Sequence, residues 1–364
     1  LASWWAVGDD SAQVHIRISS VFYYLFGDSR LSLIPFNTGV YMLLLLLIYQ
    51  LGDCLFGSKT GMLSAAVGGM LPTFFIQSTQ MGKEPLYICG WLLFWLGLIS
   101  IVRNGNVRKS GWTKMAVAVF GFLILIWTRF YMGELAIIFW VLGMSILFSR
   151  MGFNRDLQWD RIFRLLLPLV AFVLIVYNLG FVGTRFVPAA HDKLKKHELV
   201  DKKLVNNSTY LDQCRKVSGG FFRPGCWLMR FENMREGFRL YDPEAGSTVD
   251  GRVKFENPWD VIRYLPRALQ VGFGTPFPSL WFQRGKFVGF WGRAVAGLET
   301  AFMYFASIFA LFCIWKERKR AEVWLIAFFI ICGSLLLGLV VTNAGAIFRY
   351  RYAFWMIIII LGSN

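Results

Sequence analysis

The chain has 364 residues, of which 56% are hydrophobic and 16% charged, and a mean hydropathy of +0.51. That is too apolar for a solvated globule and points to a membrane protein. The net charge of +16 does not indicate a nucleic-acid partner: no nucleic-acid motif accompanies it, and much of the excess lies in short loops between apolar runs.

The first thirty residues read as a loop on the outer side of a membrane. Trp4 and Trp5 are interfacial aromatics, Gly8 turns the chain, and Asp9 and Asp10 follow. Asp9 suits the N-cap of an interfacial helix over 11–26. A carboxylate at the membrane surface suits a base that takes a proton from an acceptor. Neighbours on a helix do not face one point, so Asp10 is the candidate base; the competing reading makes both acids caps. His15, about a turn later, is a weak candidate for metal or phosphate binding, since it has no second histidine beside it.

Apolar runs then recur. Stretches 31–52, 60–82, 85–102, 165–184 and 323–348 carry no Asp, Glu, Lys or Arg, and 294–315 carries only Glu299. Each is long enough to cross about 30 Å of hydrocarbon. Runs 115–128 and 135–149 are shorter, either short helices or a re-entrant pair, and a last run starts at Tyr352. The expectation is an all-α polytopic membrane protein with about nine spans. Its expected parts are an outer loop (1–30), an N-terminal bundle (31–182), a mixed extracytoplasmic domain (183–289) and C-terminal helices (290–364). A start at Leu1 and a stop within an apolar run at Asn364 are read as signs of a fragment.

Basic residues mark the cytoplasmic loops. Arg103, Arg108, Lys109 and Lys114 lie in one, Arg150, Arg155, Arg161 and Arg164 in the next, and Lys316, Arg318, Lys319 and Arg320 in the third. Alternating crossings then put 1–30, 80–84, 129–134, 183–289 and 343–351 outside. The inserted segment 183–289 holds Cys214 and Cys226 on either side of a turn-rich stretch, which favours a disulfide in an oxidising compartment. Residues 258–269 interleave apolar and basic side chains, as in an interfacial helix. The other cysteines, Cys54, Cys89, Cys313 and Cys332, read as small buried hydrophobes.

Gly8-Asp9-Asp10 in the first outer loop, Pro72 with the 78–84 stretch ending in Lys83 and Glu84, and Phe348-Arg349-Tyr350-Arg351-Tyr352 occur in this order on one side. In this the chain resembles the membrane-embedded glycosyltransferases of the C superfamily, particularly the branch of dolichyl-phosphate-mannose protein mannosyltransferases and lipid A aminoarabinose transferases. The chain has Asp-Asp and then His15 where the better-known pattern has Asp-Glu and then Tyr. The resemblance implies a polyprenyl-phosphate-sugar donor, an acidic first-loop residue acting on a lipid, glycan or protein acceptor, inversion at the anomeric carbon, and no nucleotide sugar at the site. It further suggests a bacterial inner membrane with the site facing the periplasm or exterior.

On this reading Lys83, Arg349 and Arg351 bind the donor phosphate and stabilise the departing charge. Glu84 orients Lys83 or holds a divalent metal, the only cofactor left open. Arg129, Glu134 and Tyr350 are supporting residues at the same boundary. Glu299 joins them because an acid inside a span must face a partner or a cavity. A polysaccharide polymerase or ligase is the main alternative. A transporter or flippase is the other, disfavoured by scarce intramembrane charge and by the lack of obvious Gly/Pro-broken helix pairs.

Overall fold

The computed structural model describes residues 10–27, 29–79, 83–104, 111–151, 231–232, 234–235, 237–238, 247–283 and 289–364. Long runs of Leu, Ile, Phe and Trp satisfy their own backbone hydrogen bonds only as helices in an apolar medium, and the described residues are almost entirely helical.

The helices are α1 (Asp10–Phe26), α2 (Ile34–Phe56), α3 (Ser58–Gly69), α4 (Pro72–Thr79), α5 (Glu84–Asn104), α6 (Gly111–Thr128) and α7 (Phe130–Met151). After a gap come α8 (Pro258–Gly274), the short α9 (Pro278–Trp281), α10 (Gly289–Lys316), α11 (Ala321–Val340), α12 (Ala344–Tyr350) and α13 (Tyr352–Gly362).

Among the described residues, four helices are long and apolar enough to cross a membrane: Leu31–Phe56, Glu84–Arg103, Gly289–Lys316 and Ala321–Val340. A fifth span arises if α12 and α13, which meet at 51°, count as one. The expectation of nine spans is therefore not reproduced. The apolar run 60–82 is divided into α3 and α4, because Pro72 has no N–H and disfavours a helical residue before it. Tyr41 Oη donates to the Gly69 carbonyl at this break (2.9 Å). The run 323–348 is likewise divided: α11 ends at Val340, and the Asn343 side chain caps the new helix α12 by accepting from Gly345 N (2.9 Å) and Ala346 N (3.2 Å). Runs 115–128 and 135–149 lie in the continuous helices α6 and α7, and 165–184 is outside the described residues.

Helix α13 is buried on every side from Tyr352 to Leu361, as a helix apolar all round should be. Phe329 of α11 links it to the buried ridge Tyr87, Trp91 and Trp95 of α5, lying 5.0 Å from Phe354 of α13, 4.4 Å from Trp91 and 5.0 Å from Trp95, centroid to centroid. Helices α2 and α3 turn tightly at Gly57, whose φ of +100° suits glycine. Cys89 and Cys313 are buried, and Cys54 and Cys332 are half-buried, all four as free thiols.

The expected separate domain over 183–289 is, in its described part, an extension of the bundle. Residues Tyr264, Ala268, Val271 and Gly272 form the buried face of α8, and α8 packs antiparallel on α11. The preceding chain pairs with the α11–α12 turn through Val249 N to Thr342 O (2.7 Å) and Ala344 N to Ser247 O (2.9 Å). Buried Arg235 closes the seam by donating to the terminal α11 carbonyl of Leu339 (2.9 Å) and to Asp250 O (2.9 Å).

Asp250 anchors α8 by accepting from Tyr264 Oη (2.9 Å), Arg267 Nε (2.8 Å) and Arg267 Nη2 (3.2 Å). Burial pushes its carboxyl up, but the bonds from Arg267 and Tyr264 and the positive charges of Arg267 and Arg235 carry it below its usual value. Burial, and then the bond to Asp250, push the Tyr264 phenol up to about 12. A depressed carboxylate adds stability that is complete above its unfolded value of about 3.9 and is lost as pH falls through the folded value. Proteolysis of 247–283 should therefore accelerate below about pH 4 in the native protein, whereas Asp250→Asn should show this acid dependence much reduced. Equal acid dependence in both would remove Asp250 as the anchor.

Candidate functional site

Three turns at one end of the bundle bring their charges together. Glu84 opens α5, Arg129 lies between α6 and α7, and Arg349 sits in the last turn of α12. Glu84 Oε1 is 3.5 Å from Arg129 Nη2 and 3.9 Å from Arg349 Nη1. The two guanidiniums differ in setting: the Arg129 side chain is 5% exposed and that of Arg349 51%. Arg129 also lies 3.5 Å above the Tyr350 ring and 5.4 Å from that of Tyr87, so aromatic faces hold it in place. The opposite end is marked by Arg320, which donates to Leu55 O at the end of α2 (2.9 Å).

Lys83 immediately precedes α5, is half-buried, and its carbonyl accepts from Tyr87 N (3.0 Å). Of the residues expected at this boundary, Glu84, Arg129, Arg349 and Tyr350 are in contact, and Lys83 precedes Glu84 in the chain. No protein-family description, no curated protein and no solved structure matches this chain. The chemistry has to be read from the side chains themselves.

Glu84 is a single carboxylate flanked by two guanidiniums, a donor set that repels a divalent cation rather than holding one. Among the described residues, no three His, Cys, Asp or Glu side chains gather around a shared point. Half-exposed Arg349, 3.9 Å from Glu84, is instead suited to bidentate contact with a phosphate or carboxylate.

Arg351 differs from the position expected at an open boundary. It is 1% exposed and points between helices, where Nη1 donates to Phe273 O at the end of α8 (2.8 Å) and Nη2 to Thr300 Oγ1 on α10 (3.1 Å). Its guanidinium lies 3.8 Å from the Trp355 ring. Beside it is a second buried group. Glu299, 4% exposed, accepts from Tyr352 Oη (2.7 Å) and from Thr73 N (3.2 Å), and the Thr73 hydroxyl donates to the same carboxylate. Thr73, Thr300, Tyr352 and Phe273 are residues that hydropathy reading passes over, although a threonine directly after Pro72 and a tyrosine opening an isoleucine run were available signals.

Of the remaining candidates, the described residues include the backbone at most. Helix α1, expected over 11–26, is found at Asp10–Phe26, with Phe22 against Phe36 of α2 (5.3 Å between centroids). Asp10 and His15 are on its backbone, and Glu134 is the fifth residue of α7, but their side chains lie outside the described residues. Asp9, Cys214 and Cys226 lie outside them altogether.

Proposed function

We propose that this chain transfers a sugar from a polyprenyl-phosphate donor to an acceptor at the membrane face carrying Glu84, Arg129 and Arg349. The observation that carries the reading is the convergence of these three residues, with Arg349 half-exposed and 3.9 Å from Glu84. The lipid tail lies against the apolar helices. The donor phosphate meets Arg349, with Lys83 at the same boundary, and their charge stabilises the phosphate as the bond to the anomeric carbon breaks. Asp10 takes the proton from the attacking acceptor, and attack opposite the phosphate inverts the anomeric carbon. The nine-span topology and a periplasmic or exterior active site belong to this proposal.

The test is reconstitution in liposomes with a panel of polyprenyl-phosphate sugars, following release of polyprenyl phosphate. Arg349→Ala should lower kcat/KM by about 100-fold or more, and Asp10→Asn by about 100-fold or more, without loss of folded protein. Wild-type rates in both variants would remove the assignment.

A transporter reading gains one specific observation. Helices α3/α4 and α12/α13 are both broken, and Glu299 contacts residues at both breaks, Thr73 and Tyr352. Discontinuous helices around a buried charge are a feature of transport sites. Movement of a labelled polyprenyl-phosphate sugar across the bilayer with acceptor absent, and no sugar transfer with acceptor present, would favour it.

A further inference from the structure

Glu299 and Thr300 are consecutive on α10, and Arg351 and Tyr352 are consecutive at the α12–α13 bend. The pairs interlock: Tyr352 donates to Glu299 (2.7 Å) and Arg351 to Thr300 (3.1 Å). Thr300 stays an acceptor towards Arg351 because its own hydroxyl donates to Ala296 O (2.7 Å). Glu299 also holds Thr73, the second residue of α4, and α4 ends four residues before Lys83. Arg351 also holds the last turn of α8 through Phe273 O. Two adjacent residues of α10 therefore hold α4 and the α12–α13 bend directly, and α8 through Arg351.

We propose that Glu299 and Thr300 are positioning residues: by holding Tyr352 and Arg351 they set the α12–α13 bend, and so fix where Arg349 stands against Glu84. The bend needs such a hold. Helix α12 has only seven residues, too few to stand alone, and its exit is where Arg349 must be aimed. The clasp is stiff because a fully buried guanidinium in an apolar bundle cannot exchange lost hydrogen bonds for water. Glu299 holds the other flank of the cluster as well, since the same carboxylate secures the start of α4.

The use of this clasp in catalysis rests on the glycosyl-transfer reading, so the experiment has two arms. In nanodiscs, Thr300→Val removes the acceptor for Arg351 with little change of shape. Amide exchange over 344–350 should quicken about tenfold relative to 321–340, and Thr300→Ser should restore it. In the liposome assay, Thr300→Val should raise KM for the polyprenyl-phosphate donor about tenfold with kcat little changed, and Thr300→Ser should return it. Unchanged exchange, exchange raised equally over 321–362, or raised exchange with an unchanged KM would each overturn the proposal. A wild-type protein that transfers no sugar would sink the functional reading alone, and the exchange arm would then decide the clasp. Should Thr300→Val fail to fold, Glu299→Gln, which leaves one acceptor oxygen where Tyr352 and Thr73 each use their own, carries the same readouts.

Discussion

Changing Arg129 to alanine should destabilise the protein by about 3–5 kcal/mol, the cost of removing one partner from a buried ion pair, whereas Arg349→Ala should cost no more than about 1 kcal/mol, as at an exposed pair. Both guanidiniums face the same oxygen of Glu84, so the difference rests on burial rather than on charge. Without Arg129 the Glu84 carboxylate, 12% exposed, keeps among the described cations the more distant and more solvated Arg349. Tyr350 and Tyr87 lose the cation between them as well. The two arginines should therefore divide the labour, Arg129 for the fold and Arg349 for the ligand.

Thermal unfolding in detergent measures this directly, and the double variant Arg129→Met with Glu84→Leu sharpens it. If the pair is structural, replacing both charges with apolar groups of similar size recovers much of the stability lost in Arg129→Ala. Equal destabilisation by Arg129→Ala and Arg349→Ala would show that burial does not distinguish them.

Glu84, Arg129 and Arg349 could be placed at one end from sequence because each is a charge bounding an apolar run, and a charge at a helix end is cheap only near the interface. That they touch could not be read, because contact depends on how α5, α6 and α12 pack. Arg351 shows a limit that was avoidable. Residues two apart on a helix do not face each other, and the rule separating Asp9 from Asp10 also separates Arg349 from Arg351. One turns to Glu84 and the other to Thr300.

Glu299 stood out as an acid within a span, yet its partners lie 226 and 53 residues away. The break at Pro72 was hidden for a different reason. Hydropathy over 60–82 is continuous, and a count of apolar residues does not register a missing N–H. The same blindness affected 323–348, where Asn343 ends one helix logic and begins another. The pairing of 247–249 with 342–344 joins segments about a hundred residues apart and left no local pattern to find.

The seam between α8 and α11 should be the least tolerant place in the described structure. Ala268 and Gly272 on one helix face Ser334 and Gly338 on the other, a small residue every fourth position on both sides, which lets the backbones meet. A Cβ added at Gly272 falls on the Ser334 carbonyl oxygen, and one added at Gly338 falls on that of Ala268. Neither obstacle is a side chain that can rotate away, so the helices themselves must part. Gly338→Val should cost about 3 kcal/mol or more, the upper end of overpacking, and even Gly338→Ala should be clearly destabilising. Gly39→Ala is the control: it is helical, exposed and has nothing near its added Cβ, so the change should be neutral or slightly stabilising.

The consequence reaches the site, because α8 delivers Phe273 O to Arg351 and Gly274 O to Tyr304. Parting the seam withdraws both acceptors and leaves a buried guanidinium with Thr300 as its remaining hydrogen-bond partner among those described here. Gly338→Val should therefore expose 247–283 to protease and disturb amide exchange over 344–350 together. Protease sensitivity without any change over 344–350 would mean that Arg351 does not depend on α8. The clasp on α10 would then hold the bend by itself.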